Sequence, residues 1–107
     1  MSETNTIDPD LQAEQERRDA DAAKRRRAVD AVLEERVYQK GRWTPEHDKK
    51  HSTQDWASIM AVYTGKVASS TYPYDYVDSE QGKETFKKRV TQLAAICLAA
   101  LEMVDEA

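Results

Sequence analysis

The sequence predicts an all-α fold, a three-helix bundle carrying a long charged N-terminal helix. Three observations carry that prediction. The chain is rich in Ala, Glu, Arg, Lys, Gln and Leu, the residues that lose least on entering a helix, and holds only three Gly and three Pro. Apolar residues recur at three- and four-residue spacing through its middle and C-terminal segments. Helix start signals precede the segments, Asp8-Pro9 before the first and Ser52 with Asp55 before the second. With 107 residues, 39% hydrophobic and 34% charged, the chain has material for one domain with a thin core and a large solvated surface.

Residues 1–8 read as a disordered tail that ends on the N-cap Asp8, followed by a single helical domain over 9–107. The first helix is predicted over 9–40, with Gly41 placed to end it. Its front part, Leu11 to Arg27, has little apolar surface and many spaced charges, with Glu14 and Arg18 set for an i,i+4 pair. The basic run Lys24-Arg25-Arg26-Arg27 reads as a solvated face balanced by nearby acids. From Val29 onward, Val29, Leu33 and Val37 form a row flanked by Val32 and Tyr38, and this half is expected to pack. Thr44-Pro45-Glu46 opens a short helical turn. The second helix, 53–68, offers Trp56, Ile59, Met60, Tyr63 and Val67 at core spacing. The third, 83–105, offers Phe86, Val90, Leu93, Cys97, Leu101 and Val104, widened by Ile96 and Leu98. Its middle is apolar nearly all round, which predicts a homo-oligomer burying the surplus.

Charge and cysteine usage narrow the function. A net charge of −4 argues against a nucleic-acid partner. The single cysteine, Cys97, lies in an apolar run and reads as a reduced thiol of a cytosolic protein. The longest apolar run, Leu93 to Leu101, is too short to span a bilayer, so no membrane role is expected.

The densest chemistry lies in Glu46-His47-Asp48-Lys49-Lys50-His51, which holds both histidines of the chain four residues apart. Two imidazoles at that spacing share a helical face and can chelate zinc, as in an HExxH helix, here with Asp in place of Glu. A zinc site wants a third ligand, no further His exists, and two lysines intrude. The reading is therefore no metal and no cofactor. Glu34-Glu35 and Glu102-x-x-Asp105 resemble the acidic pairs of all-α nucleotide pyrophosphohydrolases, but Tyr38 stands where the next acid belongs. Between the second and third helices, Tyr72, Pro73, Tyr74 and Tyr76 fall within five positions. They fit either packing over a thin core or presentation to a partner.

Glu35-Arg36-x-x-Gln39, followed by Trp43-Thr44-Pro45-Glu46-His47-Asp48-x-x-His51, resembles a family of small phage and prophage proteins. Its pattern reads Glu-Arg-x-x-Gln, then Gly-Trp-Thr-Pro-Glu-His-Asp-Asp-x-His, then a helix ending in Tyr, an aromatic-proline loop and an Ala- and Leu-rich last helix. Tyr63, Tyr72-Pro73-Tyr74 and Thr91 to Glu102 take those places here, so the resemblance covers roughly residues 30–105. Arg42 separates Gly41 from Trp43, Lys49 replaces the second Asp, and Thr53-Gln54-Asp55 replaces a Gly-Glu start. A fainter similarity, through Arg36, Gln39, Trp43 and Pro73-Tyr74-Asp75, runs to ryanodine-receptor-type repeat domains.

The resemblance implies a phage-type accessory protein in the host cytosol. It implies binding without catalysis, to a host protein or a nucleotide-like small molecule, with the effect of countering host defence. Arg36, Gln39, Trp43, Glu46, His47, Asp48, His51, Tyr72 and Tyr74 are the residues expected to form the binding surface. Trp43 would anchor, and Arg36 and Gln39 would supply charge-assisted and amide hydrogen bonds. Burial discriminates this from a structural motif. The alternatives are a metal-dependent nucleotide pyrophosphohydrolase and a structural or regulatory oligomer working through its N-terminal helix.

Overall fold

The computed structural model describes residues 8–42, 46, 50–72 and 79–105. Three helices occupy them: α1 (Pro9–Arg42), α2 (Thr53–Ser69) and α3 (Glu80–Asp105). No strand occurs among the described residues. The all-α three-helix bundle is therefore the architecture of this chain. No helix of the described residues is long and apolar enough to cross a membrane.

The chain divides into two units, Met1–Asp30 and Ala31–Ala107. In the first, Asp8 caps α1 by accepting the Asp10 backbone N–H at 2.9 Å, and its carbonyl takes the first intrahelical bond from Gln12. Pro9 follows at the position where its missing N–H costs nothing. Every described residue from Asp8 to Asp30 is exposed except the half-buried Glu14. What supports this stretch is local: Arg18 pairs with Glu14 at 2.6 Å, and the Gln15 amide donates to Asp19 at 2.9 Å. Such exposed i,i+4 contacts contribute only about 0.2–0.5 kcal/mol each.

The second unit is the bundle proper. Ser52 and Asp55 form a reciprocal capping box at the start of α2. The Ser52 hydroxyl accepts from the Asp55 N–H at 3.1 Å, and the Asp55 carboxylate accepts from the Ser52 N–H at 2.9 Å. The carboxylate sits below its ordinary value of 3.8, first because of that Ser52 backbone bond, then through the Ser52 side chain. α3 opens at Glu80, three residues ahead of the predicted start. Ser79 is its cap, accepting from the Gly82 N–H through its hydroxyl at 3.0 Å and from Lys83 through its carbonyl at 3.0 Å.

Trp56, Ile96, Ala99 and Ala100 form the core, with Ile59, Met60, Tyr63 and Met103 packed against it. The predicted face of α2 is the one that packs. On α3 the small residues Ala95, Ala99 and Ala100 and the fully buried Ile96 face inward. Phe86, Val90, Leu101 and Val104, which the sequence pattern places in the packing stripe, are exposed, and Leu93 and Cys97 are half-buried. The alanines let α2 approach closely and seat the Trp56 indole, so close packing of small residues against one large ring selects the inward side. Cys97 Sγ lies 3.5 Å from Met60 Sδ at the core's edge.

Two further expectations about α1 are corrected. The helix runs through Gly41 to Arg42, whose guanidinium lies 5.8 Å from the Tyr38 ring centre one turn back. And the row Val29, Leu33, Val37, with its neighbour Tyr38, does not pack: all four are exposed. The buried side chains of α1 are Arg36 and Gln39. Helical geometry explains the exchange. Val32, Arg36 and Gln39, spaced four then three, stay on one face, whereas a row at strict four-residue spacing drifts about 40° per step.

Candidate functional site

Arg36 is 4% exposed yet charged, so its guanidinium requires a partner within the fold. Glu102 on α3 supplies it. The Arg36 Nε–H donates to Glu102 Oε1 at 3.0 Å, and Nη2 stands 2.9 Å from the same oxygen. The Glu102 side chain is 40% exposed, so the pair bridges from the interior to solvent. One turn on, the Gln39 amide Nε2 donates to Glu35 Oε2 at 3.2 Å and to the backbone carbonyl of Gln92 on α3 at 3.3 Å. The two residues thus fasten the last turns of α1 to α3 by directed polar bonds.

That fastening leaves polar capacity unused. Gln39 Oε1 and the indole Nε1 of Trp56 are buried with no hydrogen-bond partner among the described residues. Trp56 meets His51 edge-on instead, with ring centroids 5.1 Å apart and planes at 76°. This contact lays the residue before the α2 cap against the core, in the geometry aromatic pairs prefer.

Among the expected binding residues, then, Arg36 and Gln39 turn inward against α3, and half-buried His51 turns onto Trp56. Glu46 is exposed, and Tyr72, three residues past the end of α2, is 73% exposed. Trp43, His47, Asp48 and Tyr74 lie outside the described residues. Arg36 meets the burial condition for a structural part, since its guanidinium is buried and paired with Glu102 inside the bundle.

Two of the four acids that suggested a hydrolase are engaged within the fold. Glu102 holds Arg36, Glu35 accepts from Gln39, and Glu34 and Asp105 are exposed. Among the described residues no group of three His, Cys, Asp or Glu is placed to hold a metal ion.

Sequence reading missed the outward side of α1. With Arg36 and Gln39 facing in, Leu33, Val37 and Tyr38 are left 48%, 69% and 58% exposed. The signal lay in the four-then-three spacing of the polar pair with Val32, which is the spacing of a packed face. Comparison with protein-family models, with characterised proteins and with solved structures finds no match for this chain.

Proposed function

We propose that this chain is a small phage-type accessory protein that works by binding and not by catalysis, in the cytosol of the host. Its partner is a host protein, engaged to counter host defence through the outer row Leu33, Val37 and Tyr38. The observation that carries the reading is the exposure of those three side chains on a helix whose Arg36 and Gln39 are turned inward. Large apolar side chains grouped at the surface mark contact sites, and a tyrosine among them adds a polar tip. The phage attribution rests on the Glu35-Arg36-x-x-Gln39 and Trp43-to-His51 motifs. Arg36 and Gln39 serve this reading indirectly, by setting which face of α1 looks outward. Self-association is a further part of the proposal, resting on Leu101 and Val104, exposed near the end of α3.

Affinity capture from infected-host lysate, comparing the wild-type chain with a Leu33→Glu/Val37→Glu variant, tests the main reading. A protein captured by the wild type and lost from the variant, with helical circular dichroism unchanged, supports it. Identical capture by both refutes the α1 row. Sedimentation velocity of wild type and Leu101→Glu/Val104→Glu decides the self-association: a single monomeric boundary for the wild type refutes it.

A further inference from the structure

The C-terminal half of α2 and the N-terminal half of α3 leave an open groove of about 450 Å³. Val62, Gly65, Lys66, Ser69 and Ser70 line it from α2, and Thr85 and Arg89 from α3. We propose that this groove binds a small phosphate ester of nucleotide-monophosphate size, a site distinct from the outer row of α1.

The charge argument comes first. Among the described residues two cations and no carboxylate line the groove, in a chain whose net charge is −4. Neither Lys66 nor Arg89 forms an ion pair among the described residues. Each is held by a neutral group instead: the Lys66 ammonium lies 4.5 Å from the Tyr63 ring centre, and Arg89 Nη1 donates to Gln92 Oε1 at 3.2 Å. Cations positioned by neutral partners keep their full charge for an incoming anion, and a guanidinium beside an ammonium suits phosphate oxygens.

The end of α2 does not oppose this through bare carbonyls. Those of Lys66, Val67, Ala68 and Ser69 are taken by the backbone N–H groups of Ser70, Thr71 and Tyr72, and the Ser70 and Thr71 hydroxyls add to them. Because the Ser70 hydroxyl spends its proton on the Val67 carbonyl at 2.6 Å, its remaining capacity is as an acceptor. Its lone pairs can accept hydrogen bonds from a ligand's own hydroxyls, and a nucleoside monophosphate brings ribose hydroxyls in addition to its phosphate. This favours an ester carrying a polyol over the free ion.

Gly65 leaves the α2 wall of the groove without a side chain at its position. It stands in the interior of α2, where glycine weakens a helix, yet a Cβ built there meets nothing within 4 Å. No crowding inside the fold requires glycine at this position. Its effect is to keep the groove open on the α2 side. The volume matches that of sites taking ligands of this size.

The test is titration of the full chain with adenosine 5′-monophosphate, and separately with inorganic phosphate, followed by amide chemical shifts and calorimetry. Expected are saturable shifts centred on Gly65, Ser69, Ser70, Thr85 and Arg89, with the ester binding more tightly than phosphate. Lys66→Gln and Arg89→Gln should each weaken binding at least about tenfold, as for loss of one charge-assisted bond. Gly65→Leu should abolish binding by filling the groove, and Lys88→Gln, outside the lining, should leave it unchanged. Circular dichroism of each variant separates lost binding from lost fold. Absence of saturable binding, shifts spread over all lysines, or equal weakening by Lys88→Gln overturns the site. Equal affinity for phosphate and the ester overturns the assignment of the ligand class.

Discussion

The two joints that hold α3 in the bundle are made of different materials. Against α2 it presents Ile96, Ala99 and Ala100 to the Trp56 ring, an apolar contact whose strength comes from area removed from water and whose geometry tolerates adjustment. Against α1 it presents Glu102 and the Gln92 carbonyl to Arg36 and Gln39, bonds that hold at one register and weaken steeply away from it. The first joint supplies most of the cohesion. The second fixes which way α1 faces, and so decides that Arg36 is inside and Leu33, Val37 and Tyr38 are outside. A buried polar contact here specifies an orientation more than it stabilises the fold, a role that polar groups in helical assemblies are known to take.

The comparison predicts unequal responses. Ile96→Ala, at the fully buried centre of the apolar joint, should cost about 2–5 kcal/mol, read as a lower urea midpoint. A loss under about 1 kcal/mol would show that α2 and α3 are not packed as described. Glu102→Ala removes the partner of a buried guanidinium and should cost roughly 2 kcal/mol, because an interior charge is stranded by the loss of its acceptor. The same substitution should also raise amide-exchange rates in residues 33–42 more than in α2, which an apolar-joint variant would not do selectively.

Gln39→Leu is the sharper probe of the polar joint. It removes two bonds but also the buried Oε1 that has no partner among the described residues, so the change in stability should stay within about 1 kcal/mol in either direction. A loss as large as that of Glu102→Ala would mean that the amide, and not the ion pair, fixes α1.

The smallest effect is expected at the α2 cap. Asp55 is held below its ordinary 3.8 chiefly by the Ser52 backbone N–H, then by the Ser52 side chain. A carboxylate whose pKa is lowered by folding contributes stability above its unfolded pKa, and that contribution is lost as pH falls through the lower folded value. Asp55→Asn should therefore be less stable than wild type at neutral pH, with the difference closing as the pH is taken well below 3.8. A difference that stays constant down to the acid limb would place the cap's contribution outside the charge of Asp55.

Much of the fold was legible in residue order because its signals are local. Asp8-Pro9 and the Ser52–Asp55 box act within one helical turn, and the Trp56, Ile59, Met60, Tyr63 stripe buries the face its spacing indicates. Arg36 and Gln39 were legible as distinctive residues, but their partners were not. Glu102 stands 66 positions from Arg36, and Gln92 stands 53 from Gln39. The same gap hid the groove, whose cations Lys66 and Arg89 belong to different helices and meet only when these pack.

What the sequence by itself determined is that this chain is helical, where its first two helices start, and which face of α2 is buried, since propensity, capping and periodicity are set by neighbours along the chain. Only the tertiary structure decided which sides of α1 and α3 face inward. Both helices carry more than one plausible packing row, and the choice fell to contacts between distant residues. A buried arginine needed an acid, and a large indole needed alanines small enough to receive it.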